Sequence, residues 1–163
     1  MDTEKILSVI ERAFTWRQPP KNYISSFQLD ENEIAEVLSY QGKDWRSFTC
    51  KQLQEKSDLF LCSPEAFCYC LPGVMSAVIR ENRPDLIMID AIVNCLDRPP
   101  SRTNWDDYFL ERWTKFTPEE YDAIEQFLGW LCEHDPNDNP FNDMFTVSAR
   151  CVDTLNLLRE RKR

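Results

Sequence analysis

Apolar residues return along this chain at every third or fourth position, and most of the runs open on a helix-start signal. Ile6, Leu7, Ile10, Ala13 and Phe14 form the first stripe, with Asp2 placed to accept the free N–H groups of the first turn. The spacing predicts a helix over Thr3–Phe14 that ends before Pro19-Pro20. Residues 23–29 lack a helical period and read as extended. Asp30 with Glu33 is a capping-box pair opening a short helix, with Ile34, Val37 and Leu38 as its inner side and Gly42 after its end. Thr49 and Gln52 repeat the box. Ser63-Pro64-Glu65-Ala66 combines an N-cap, a proline at the first helical position and an acid at the positive end of the dipole. Pro72 is expected to interrupt or restart that helix, because it lacks the N–H that an interior turn uses. Val74, Val78 and Ile79 carry the apolar face on towards Asn82.

Pro84-Asp85 predicts the next start, with Leu86, Ile89, Val93 and Leu96 on one face and Pro99-Pro100 as the stop. Trp105, Phe109, Trp113 and Phe116 are spaced as one aromatic stripe on a helix. Thr117-Pro118-Glu119-Glu120 is a further full capping box, followed by Tyr121, Ile124, Phe127, Leu128 and Leu131 in helical period up to Asp135-Pro136. Residues 137–143 read as a polar loop, and Phe145, Ala149, Val152, Leu155 and Leu158 as a last helix. No run of five residues alternates with period two, and no Asn-Gly or Asp-Gly hairpin turn occurs. The prediction is an all-α protein: one compact domain over residues 1–163, with seven or eight helices, short proline-punctuated connections and a basic C-terminal tail at 159–163.

At 163 residues the chain is long enough for one well-buried core. Only 3 glycines, Gly42, Gly73 and Gly129, argue against a glycine-rich phosphate loop. A single histidine, His134, excludes metal motifs that need two. Residues 1–10 lack the basic start and apolar centre of a signal peptide, and the most apolar stretch, 86–96, is broken by Asp90 and Asn94. The 7 cysteines cannot all pair within one chain, so they read as reduced thiols of a cytoplasmic protein.

The run Pro64-Glu65-Ala66-Phe67-Cys68-Tyr69-Cys70-Leu71-Pro72, following Asp44-Trp45, and the later Phe116-Thr117-Pro118-Glu119-Glu120-Tyr121 with Ala123, Ile124, Phe127 and Leu128 resemble a family of small, mostly bacterial proteins of unknown function. Its pattern is PEAFxYxLP followed by LTPEExxAIxxFL. The resemblance covers residues 5–132, and Phe116 departs from it where an aliphatic residue is usual. It implies a domain over that stretch and brings no activity, cofactor or catalytic residue with it.

The candidate chemistry is sparse. Cys62, Cys68 and Cys70 with His134 could be considered for zinc, but there is no Cys-x-x-Cys pair. On a helix, Cys68 and Cys70 would point about 200° apart. The expectation is therefore buried thiols with no metal and no cofactor. A Cys–His nucleophile would depend on His134 alone, which fits better as a cation at a helix C-terminus. Asp107 and Glu111, four apart, share a helix face that could serve acid–base chemistry, but nothing supplies a second carboxylate–histidine pair. Trp105, Phe109 and Trp113 would face the core, with Tyr108 and Arg112 beside them, a composition common at protein interfaces.

The formal net charge is -9, and the basic tail makes the rest of the chain more acidic still, which disfavours nucleic acid. The reading is a non-catalytic, acidic protein-binding module with a basic protein partner. Its most concrete form is an immunity or antitoxin protein that masks the basic surface of a bacterial toxin acting on nucleic acid. Asp106, Asp107, Tyr108 and Glu111, with Asp135, Asp138 and Asp143, are the expected contact residues. A structural or regulatory helical protein without a toxin partner is the alternative, and an enzyme using carboxylates or a cysteine is the third.

Overall fold

Five helices begin on the caps that the sequence marks, and a sixth begins on Asp106, which no sequence motif marks. Asp2 accepts from the backbone of Glu4 and Lys5 at the head of α1 (Thr3–Phe14). Complete capping boxes open α2 (Glu31–Leu38) and α3 (Cys50–Gln54). Ser63 and Pro64 start α4 (Pro64–Glu81), and Asp106 accepts from Phe109 N to start α6 (Asp107–Trp113). A third capping box, Thr117 with Glu120, opens α7 (Pro118–His134). The computed structural model describes residues 2–56, 58–101, 105–135 and 147–161, which also include α5 (Ile87–Leu96) and α8 (Val147–Arg161). Single 3-10 turns lie at Trp45–Ser47 and Leu59–Leu61. The all-α expectation holds among the described residues. The extended reading of residues 23–29 meets one isolated antiparallel bridge, Ile24 to Cys62.

Helix α4 is the axis of the fold. Every residue from Ala66 to Ile79 is buried, and α1, α3, α6 and the two 3-10 turns pack around it. Helix α7 lies against α1 and α8, and α8 also covers α5. All the large apolar residues of the two motif-like runs, Phe67, Leu71, Ile124, Phe127 and Leu128, fall in this one core together with Trp45.

Four expectations are corrected by packing. Pro72 neither interrupts nor restarts its helix: α4 runs through it unbroken. An interior proline costs about 3 kcal/mol, but a helix buried on all sides gains roughly 1.5–3 kcal/mol for each large apolar side chain enclosed. Next to it, a Cβ on Gly73 would lie 2.5 Å from the Phe48 ring and 2.6 Å from Trp45 O, so the Trp45–Phe48 segment rests directly on the α4 backbone. Second, Pro84-Asp85 does not open α5. That helix starts at Ile87 with no side-chain cap, and Asp85 instead pairs with Arg83.

Third, the aromatic stripe is longer than its helix. Phe109 and Trp113 lie on α6, whereas Trp105 precedes it and Phe116 follows it, and all four are buried. Fourth, two inner faces differ from the pattern. Leu38 is exposed, because only Val37 of α2 turns fully inward. On α8 the buried side is Ser148, Cys151, Thr154, Leu155 and Leu158, while Ala149 is exposed. The helix turns towards α5 and α7, where Cys151 Sγ donates to Val93 O at 3.3 Å. Phe145 and the predicted loop at 137–143 lie outside the described residues.

Candidate partner-binding face

Helix α6 sorts its polar side chains by direction. Asp106 is spent on folding: one oxygen accepts from Phe109 N at 2.7 Å and the other from Arg98 at 3.2 Å. Arg112, expected beside the core stripe as an interface residue, is fully buried instead. Its guanidinium donates to Phe60 O (3.1 Å), Cys62 O (2.7 Å) and Tyr108 O (3.2 Å), which ties the Leu59–Leu61 turn to α6. Asp107 and Glu111 point into solvent, and neither makes an ion pair or a side-chain hydrogen bond among the described residues. Many of the cations are committed elsewhere: Arg17 to Glu120, Arg46 to Glu11 and Asp44, Arg150 to Asp97, and Arg159 to Asp122 and Glu125.

Tyr108 is half-buried between these two roles. Its hydroxyl donates to Phe60 O, and the Arg112 guanidinium sits 3.8 Å from its ring centre. Burial pushes the phenol up to about 12, with Arg112 opposing, so it stays protonated at neutral pH. The edge of the ring meets Phe27 at 4.7 Å between centroids. Phe27, Leu29, Glu33, Leu61 and Tyr108 line an open groove of about 400 Å³. Nothing in the sequence spacing of Phe27, Leu29 and Glu33, on an extended segment and on α2, links them to a helix some eighty positions on.

The expected contact residues beyond α6 lie on other segments of the chain. Asp135 lies with Asp90 and Val93 in a small hollow of about 120 Å³ between α5, α7 and α8. There burial, and then the Asp135 charge, raise the Asp90 carboxyl above its ordinary value. Asp138 and Asp143 lie outside the described residues. The tail expected at 159–163 begins inside α8, where Arg159 reaches Asp122 and Glu125 of α7.

None of the cysteines is in a disulfide, and Cys50, Cys62, Cys68, Cys70 and Cys151 are buried. Burial pushes Cys50 up to about 11 and Cys62 and Cys68 to about 12, and Cys70 well above the ordinary range. Thiolate is the reactive form, so these four are poor nucleophiles at neutral pH. His134 ends α7 with its ring stacked on Trp130 at 4.4 Å and Nδ1 2.8 Å from Trp130 O. No group of three or more His, Cys, Asp or Glu could hold a metal ion among the described residues, and no described helix is long and apolar enough to cross a membrane.

No curated protein and no solved structure matches the chain. A family model matches residues 2–152, a span that contains both motif-like runs and continues into α8. The chain belongs to the family of unknown function DUF6714.

Proposed function

We propose that this chain is a non-catalytic, acidic protein-binding module that covers a basic protein surface. In its most concrete form it is an immunity or antitoxin protein, acting in the cytoplasm, that masks the basic cleft of a toxin directed at nucleic acid. The observation that carries this reading is the outward face of α6. Asp107 and Glu111 stand unpaired on one helix face beside a half-buried tyrosine, on a helix whose other polar groups, Asp106 and Arg112, serve the fold. Unpaired carboxylates beside an aromatic ring suit a basic partner twice over. They speed the encounter by long-range attraction, and the ring supplies contact area at low entropic cost. The same charge repels nucleic acid itself, so the basic partner is a protein.

The test is co-expression of this chain with the product of each neighbouring gene. A neighbour that arrests growth alone, is tolerated with this chain and co-purifies with it in fixed stoichiometry is the expected result. Absence of both protection and complex for every neighbour would remove the immunity reading.

A further inference from the structure

We infer that the groove between Phe27 and Tyr108 seats an apolar side chain of a partner protein's segment that carries Lys or Arg on both sides of that side chain. The inference rests on the reading of this chain as a protein-binding module and adds the anchor that the α6 face lacks.

The interior of the groove is apolar. Leu29 and Leu61 are half-buried, Phe60 beneath them is buried, and Phe27 remains 48% exposed despite its contact with Tyr108. A volume of about 400 Å³ admits one or two side chains. The wall is already in position, because Tyr108 is held by its hydroxyl on Phe60 O and by Arg112 beneath its ring, so little ordering is needed when a ligand arrives.

The rim sets the charge of the occupant. Among the described residues, no Lys or Arg lines the groove. Glu33 stands at one side with Oε2 on the Asp30 N–H at 2.8 Å. Beyond the lining itself, Asp107 and Glu111 are exposed together on one side of Tyr108, Glu111 three positions along the helix and so its surface neighbour. A second copy of this chain would bring the same carboxylates against these, and an anionic lipid or nucleic acid would be repelled. An apolar residue between cations satisfies both floor and rim. The contrast within the molecule is Trp16. It is also exposed, but Arg17 of the same chain already lies 4.8 Å over its ring, and Asp122 in the adjoining cavity already holds Arg159.

The test uses the full chain with labelled leucine methyl groups. The probe is a synthetic peptide with a Leu-Leu centre flanked by two lysines on each side. Its two counterparts carry Ser-Ser at the centre or glutamates at the flanks. The lysine–leucine peptide should shift the methyl signals of Leu29 and Leu61 saturably and leave those of exposed Leu38 in place. Phe27→Ser should weaken binding by roughly tenfold or more, since it removes most of one aromatic contact. Asp107→Asn with Glu111→Gln should weaken it at low salt and flatten its salt dependence, and Glu119→Gln, at the Trp16 cavity, should leave it unchanged.

Equal binding of the Ser-Ser peptide, or no loss with Phe27→Ser, overturns the inference. So do methyl shifts that grow with protein concentration alone, which assign the groove to a second copy. A neighbouring-gene complex that survives Phe27→Ser overturns the groove and leaves the module reading standing. Loss of the module reading through co-expression leaves the peptide measurements as they are.

Discussion

Arg17, just beyond the end of α1, holds both carboxylate oxygens of Glu120 on α7, with Nη2 at 2.7 Å from Oε2, and Glu120 is fully buried. The same oxygen accepts from Thr117 N at 2.8 Å, so one carboxylate closes the α7 capping box and ties that helix to the N-terminal segment. Removing one side of a buried pair strands the other charge, at a cost of about 3–5 kcal/mol. Arg17→Met and Glu120→Gln should each lower stability by several kcal/mol in urea unfolding. The double variant should lose less than the sum of the two; strict additivity would mean that the side chains act independently.

Phe67 joins three aromatic neighbours, stacking on Phe60 at 4.9 Å and meeting Trp113 and Phe116 edge-on at 5.2 and 6.1 Å. Phe67→Ala should cost roughly 3–5 kcal/mol, the transfer free energy of the ring plus the cavity it leaves. A loss under about 1 kcal/mol in chemical denaturation would contradict a core this tightly shared.

The α6 carboxylates should separate by role. Asp106→Lys removes an N-cap and the Arg98 pair and should cost about 1 kcal/mol. Asp107→Lys with Glu111→Lys should shift stability by about 0.5 kcal/mol or less, as exposed substitutions do. With a basic partner in hand, that double variant should associate much more slowly at low salt, and the difference should shrink as salt screens the charges. Wild-type association rates at every ionic strength would take this face out of the interface.

The buried thiols predict an alkaline limit to stability. Unfolding returns Cys50, Cys62 and Cys68 from about 11, 12 and 12 to the ordinary 9.0. Above pH 9 the unfolded chain therefore releases protons that the native one keeps. Their contribution is complete below pH 9 and falls away as pH rises from there towards 12. The urea midpoint should be level between pH 7 and 8.5 and decline from pH 9 upward. A midpoint unchanged to pH 11 would place the thiols in water. At pH 7.5, reductant and chelator should not move the melting temperature.

Much of the helix map is written in the sequence because it is written locally. A capping box joins residues three apart, a proline fits the first helical turn by its own geometry, and an apolar stripe marks the face to be buried, so Asp2, Asp30 with Glu33, Thr49 with Gln52, Ser63 with Pro64, and Thr117 with Glu120 could be read from neighbours alone. The acidic α6 residues were legible as a group, though not that Asp106 would be consumed as a cap while Asp107 and Glu111 stayed free.

Tertiary structure decided the rest. Pro72 stays helical because α4 is enclosed on every side, and Arg112 is buried because carbonyls of Phe60 and Cys62, some fifty residues earlier, accept its protons. The groove exists because Phe27 meets Tyr108 across 81 positions of chain. Local rules carry no information about such meetings: they depend on which faces of separate helices are buried together, and that is settled by the packing of the whole core.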